Sequence, residues 1–164
     1  MAGSPSSSSP WRSASPTACA TSRDAFDLTS ETGVTVEVKS SAYLQSRAQR
    51  GPSVPSFGIA PTVAWSEATN EYSGATRRQA QVYVFALLCD QDRDRVDPLD
   101  VAHWEFFVVP TAVLDQRLPG QKTIGLPGLL RLRPRRCRFE ELAKAVEDAG
   151  RLSEEDSGPA ASRP

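Results

Sequence analysis

The chain has 164 residues, with 19 Lys and Arg set against 20 Asp and Glu for a net charge of −1. That length suits one ordinary domain, the balanced charge does not announce a nucleic-acid binder, and no run approaches the roughly twenty apolar residues of a membrane span. Cys19, Cys89 and Cys137 are odd in number, widely separated and without CxxC spacing. They indicate neither a zinc site nor a disulfide framework and fit a reduced, cytoplasmic protein.

Residues 1–22 are rich in Ser, Ala and Pro, with Pro5, Pro10 and Pro16 spaced through them and no apolar periodicity. Such a segment cannot bury enough surface to offset its ordering entropy, so disorder is expected. It lacks the basic start and continuous apolar core of a signal peptide. Residues 151–164, with Glu154, Glu155 and Asp156 followed by Gly, Pro, Ala and Ser, are expected to be a second disordered tail. The folded unit is then 23–150.

Within it, Phe26 and Leu28 alternate with Asp27 in a short run at 25–29, and a turn at 30–33 ends in Gly33. Val34, Val36 and Val38 alternate with Thr35, Glu37 and Lys39 in the next run. Two alternating runs around a Gly-ending turn predict a β-hairpin. Ser40 or Ser41 can cap a helix over 42–50, which has good helix formers and no breaker before Gly51. Pro52 and Pro55 force an extended connection to a third strand at 56–60, and 65–76 has the composition of a polar loop.

The run at 81–88, QVYVFALL, is almost continuously apolar and predicts a central strand covered on both faces. A charged loop follows at 89–97, then a turn at Pro98 and a strong strand at 104–109 closed by Pro110. Thr111 can cap a short helix through Leu118, and 121–126 suggests a last short strand. Phe139, Leu142, Ala143 and Val146 fall at helical spacing, predicting an amphipathic helix over 139–149. Strands first, then strands mixed with helices, predict an α/β or α+β arrangement around a central sheet.

The residues that carry chemistry are Asp27, Glu37 and Lys39. Side chains alternate across a strand, so Glu37 and Lys39 point the same way, and hairpin pairing brings Asp27 onto the neighbouring strand. Phosphodiester hydrolysis uses a hard divalent cation that polarises the phosphate and lowers the pKa of a bound water. Mg²⁺ takes oxygen ligands, typically one or two carboxylates, which Asp27 and Glu37 can supply with the Val38 carbonyl as a third. Lys39 would orient the attacking water and offset developing charge. The triplet is short, and alternating Glu and Lys also serve plain solubility on an exposed strand.

The surrounding pattern adds a resemblance. Asp27 and Leu28, the turn ending at Gly33 and VEVKSSAYLQ at 36–45 resemble the core of the PD-(D/E)XK, or restriction-endonuclease-like, nuclease superfamily, and in particular a group of small bacterial members. VYVF at 82–85, DPLD at 97–100, WEFFVVPT at 104–111 and QKTI at 121–124 are similar to the same group, so the resemblance spans roughly 24–149. It implies an α/β fold with a central mixed sheet flanked by helices, and a Mg²⁺-dependent DNA endonuclease, with Mn²⁺ as a substitute ion. It assigns catalysis to Asp27, Glu37 and Lys39, with Asp27 and Glu37 binding the metal; the Val38 carbonyl stays the third metal ligand of the chemical reading. DNA is the implied partner, a homodimer is compatible with it, and no organic cofactor or membrane is.

Three features depart from the pattern. Residues 1–21 stand where a helix ordinarily precedes the Asp-bearing strand, Arg47 stands in place of an aromatic residue, and Gln81 in place of an Asp. They leave a second function open: a catalytically inactive module of the same fold that binds DNA or protein. For nucleic-acid contact the candidates are Gln45, Arg47, Arg77 and Arg78. Arginines at 131, 133, 135, 136 and 138 can also grip phosphates, although a solvated face is the plainer reading of any single cluster. His103 has no obvious acid partner in sequence, and Asp24 is a second choice to Asp27. Asp90, Asp92, Asp94 and Asp97 lack the Gly and terminal Glu of a calcium loop.

Overall fold

The computed structural model describes residues 11–13, 26–44, 53–66 and 71–156. A mixed sheet organises them. Its strands are β1 (Trp11–Ser13), β2 (Leu28–Ser30), β3 (Thr35–Ala42), β7 (Val82–Leu88), β8 (Trp104–Pro110) and β10 (Arg135–Cys137), in that spatial order. The pairs are antiparallel except β3 with β7, which run parallel. Two antiparallel two-stranded pairs stand apart: β4 (Ser56–Gly58) with β9 (Thr123–Gly125), and β5 (Thr62–Ser66) with β6 (Glu71–Arg77). The helices are α1 (Thr111–Arg117), α2 (Leu126–Arg131) and α3 (Phe139–Asp156).

The expected hairpin forms, with Leu28 opposite Val36 and Gly33 at a φ of 93°, a left-handed conformation that costs glycine little. The apolar run beginning at Val82 lies in the middle of the sheet, and all seven residues of β7 are buried. Its two faces feed two cores. On one side Val82, Val84 and Ala86 pack with Val34, Val36, Phe106 and Val108 under Leu142, Ala145, Val146 and Ala149 of α3. On the other, Tyr83, Phe85 and Leu87 pack with Phe57, Ile59, Leu114, Ile124 and Leu129 from α1, α2 and the β4–β9 pair. Gly150 lets α3 lie against the sheet: a Cβ there would come 2.6 Å from Val34 Cγ2.

Several expectations are corrected. β3 continues through Ser40 and Ser41 to Ala42, because parallel pairing with β7 persists to Ala42 opposite Leu88. The serines therefore cap no helix at 42, and Ser41 Oγ instead accepts the Ser56 N–H at 3.3 Å. The rest of that expected helix, 45–50, lies outside the described residues. The polar stretch expected as a loop contains most of β6 and the end of β5, paired antiparallel. Thr111 opens α1 but does not cap it; its hydroxyl donates to Ala80 O at 2.6 Å, tying the helix to the start of β7. α2 and β10 had no counterpart in the expected elements.

At the ends, α3 runs on to Asp156, past the tail boundary expected at 150. β1 lies within the segment expected to be disordered, whose remaining residues are outside the described set. Among the described residues no helix is long and apolar enough to cross a membrane.

Candidate metal and nucleic-acid site

β3 has two unlike sides. Val36 is buried and Val38 packs on the same core beneath α3. Alternation then turns Glu37 and Lys39 to the opposite face, where the parallel register sets Glu37 beside Tyr83 and Lys39 beside Phe85. Their side chains retain 19% and 33% exposure, enough to meet a ligand from solvent while standing on a buried neighbour. Lys39 Nζ donates to Glu37 Oε1 along the strand.

Asp27 reaches the same segment from the other edge of β3. Its N–H donates to Val36 O at 3.0 Å, and its Oδ2 accepts the Val38 N–H at 2.8 Å. The carboxylate is thereby held at the residue between Glu37 and Lys39. In a strand the N–H and C=O of one residue point to the same side, so the Val38 carbonyl also faces the edge that Asp27 approaches. Asp27 itself is exposed. Three hard oxygen donors thus belong to one short stretch: two carboxylates and one carbonyl. That chemistry suits Mg²⁺, which takes few protein carboxylates and keeps several waters. Among the described residues there is no group of three or more His, Cys, Asp or Glu to make an all-side-chain metal cage.

Tyr83 is the neighbour that sequence inspection missed. Burial pushes its phenol up to about 12, and the nearby carboxylates of Glu37, Asp115 and Asp27 add to the shift while Arg78 opposes it. The phenol therefore keeps its proton across the ordinary pH range. Only the β3–β7 register brings it to Glu37, across 46 residues of chain, so no local signal could have found it.

Arg78 is corrected as a nucleic-acid contact. Its side chain has 0% exposure, and Nη1 binds Asp115 Oδ1 at 2.5 Å. Nε donates to Ile59 O at 2.9 Å, and Nη2 to Leu118 O at 2.8 Å and Gln121 O at 3.3 Å. With its side chain buried and four of its five N–H donors committed inside the protein, this guanidinium is not presented to a phosphate. Arg77 is exposed and turns to Gln79 Oε1. Gln45 and Arg47, like Asp24, lie outside the described residues.

Of the three departures from the pattern, Gln81 serves the scaffold. It binds the start of β3, its Oε1 accepting the Thr35 N–H at 3.0 Å. His103 does have acid neighbours: Nδ1 is 3.7 Å from Asp90 and Nε2 is 3.7 Å from Asp100, and Nδ1 accepts the Asp97 N–H at 3.3 Å. Asp90 and Asp92 turn their carboxylates onto the backbone N–H groups of Asp92 and Asp94, as in a self-satisfied surface loop. In the arginine cluster, Arg135 pairs with Asp148, Arg136 with Glu105, and Arg138 with the carbonyl of Ala102. No protein-family model, curated protein or solved structure matches the chain.

Proposed function

We propose that this chain is a Mg²⁺-dependent phosphodiester hydrolase acting on DNA, with the restriction-endonuclease-like core that its sequence pattern resembles. The observation that carries the reading is the Asp27 carboxylate held at Val38, between Glu37 and Lys39. Asp27, Glu37 and the Val38 carbonyl would hold the cation, which supplies phosphate polarisation and a water of lowered pKa. Lys39, released from Glu37 when that carboxylate turns to a cation, stands two residues along the strand to offset charge on the phosphate. The Val36 and Val38 side of β3, fixed in the core, gives these groups a rigid base.

The test is incubation of purified protein with plasmid and linear DNA in Mg²⁺, with and without EDTA. Cleavage is expected in Mg²⁺ or Mn²⁺ alone, and Asp27→Ala and Lys39→Ala should each reduce it by about 10²-fold or more. Cleavage that survives either substitution sinks the assignment.

A second reading is favoured by the Lys39–Glu37 ion pair, which already neutralises one of the two carboxylates. It makes the chain a non-cutting DNA-binding module. Such a module binds DNA without metal, weakens steeply with salt and leaves the strands intact. Binding lost in EDTA counts against it.

A further inference from the structure

A cavity of about 280 Å³ opens between β8, α1, the α2–β10 connection and α3. None of these elements carries Asp27, Glu37 or Lys39. Val108, Val113, Leu132, Pro134, Ala145 and Leu152 form apolar walls, and the charged residues lining it are Arg133, Arg135 and Asp148. Asp148 is already matched twice, by Arg135 and by Arg151, and those bonds, Arg135 first, hold its carboxyl below the usual carboxylate value. Among the described residues no carboxylate pairs with Arg133. The cavity therefore carries a surplus positive charge against apolar walls.

Arg133 also sits where its backbone resists it. It follows the end of α2 with a φ of 55°, the only positive φ among the described non-glycine residues. Helices that end this way usually place Gly or Asn there, because a β-carbon is strained in the left-handed region. A non-glycine side chain at such a position costs stability, and this one lines the cavity. Sites with apolar walls and a few convergent polar groups are the usual form of small-molecule pockets, and this volume falls just below their range of roughly 300–1,000 Å³, the size for a small ligand.

We propose that this cavity binds a small, free amphipathic carboxylate, its apolar tail filling the space between α3 and β8 and its carboxylate paired with the Arg133 guanidinium. A planar guanidinium can take a carboxylate through two parallel N–H bonds, which favours that head group over a neutral or cationic one.

The experiment is an amide chemical-shift titration of the full chain with hexanoate, hexylammonium and acetate. Hexanoate should saturate shifts at Val113, Leu132 and Ala149. Hexylammonium, with the same number of carbons and a tail at least as long, and acetate, with little more than the head, should each bind about tenfold more weakly or worse. Arg133→Gly should weaken hexanoate by about tenfold. Because glycine accepts the positive φ, this variant should melt at or above the parent temperature, separating lost binding from a lost fold. Equal affinity for hexylammonium, undiminished affinity in Arg133→Gly, or no saturable response to hexanoate would each overturn the proposal.

Discussion

The two sides of β3 do opposite things with the same strand. One presents Val36 and Val38 to α3, in a core tight enough that Gly150 has no room for a β-carbon. The other presents Glu37 and Lys39, partly exposed, over Tyr83 and Phe85 with Asp27 at the edge. Alternation at a period of two makes this possible: the strand can be anchored on one face and chemically armed on the other, and a slip of one residue would exchange the two. The difference teaches that substitutions on the two sides should separate stability from activity.

Substitutions on the armed side test that separation first. Asp27→Ala and Lys39→Ala should lower the proposed nuclease activity by about 10²-fold or more while the urea midpoint moves little, since both side chains reach solvent. A collapse of stability in either variant would show that the charges are structural.

Arg78 lies on the same face as the site but belongs to the interior, and its loss should behave like a core mutation. Arg78→Met orphans the carbonyls it holds, those of Ile59 and Leu118 among them, and should cost about 2–4 kcal/mol in urea denaturation. Asp115, whose side chain is 53% exposed, can return to water, so Asp115→Asn should cost less. Equal losses would mean that the ion pair, more than the buried donors, holds this corner.

On the anchored side, Gly150→Ala should destabilise by about 1–3 kcal/mol by forcing Val34 and α3 apart, with the proposed DNA cleavage unchanged at temperatures where the protein is folded. Cleavage that falls in parallel would show that the two sides of β3 are coupled.

The smallest effect expected is one of pH. Arg95 holds the Asp90 carboxyl at about 2, below its ordinary 3.8, with the Asp92 N–H assisting. A depressed carboxyl contributes stability that is full above its unfolded value and is lost as pH falls through its folded one. The contribution should fade between about pH 4 and pH 2, and Arg95→Ala should flatten the acid limb of the denaturation curve only there.

Where periodicity was strong, the sequence was a good guide. The alternation around Gly33, the continuous apolar run of β7 and the apolar stripe of α3 each predicted an element that forms, because each period can satisfy only one geometry. Local propensity misled where a long-range partner prevailed. Ser40, Ser41 and Ala42 are plausible helix openers, yet the β7 ladder keeps them extended to Ala42. β5 and β6 carry too few apolar residues at a period of two to announce themselves, and short β10 was hidden inside an arginine cluster whose Cys137 turns to the core.

By itself the sequence determined that Glu37 and Lys39 share a face, since strand alternation is local and allows no other outcome. It also made Asp27 reachable, through a turn that only Gly33 completes cheaply. The tertiary structure decided what those residues meet. The parallel register of β3 on β7 put Tyr83 beside Glu37, and the packing of β4, α1 and β9 drew Arg78 inside. The physical reason is one of range: side-chain direction follows from neighbouring backbone dihedrals, whereas register and burial are settled by partners tens of residues away.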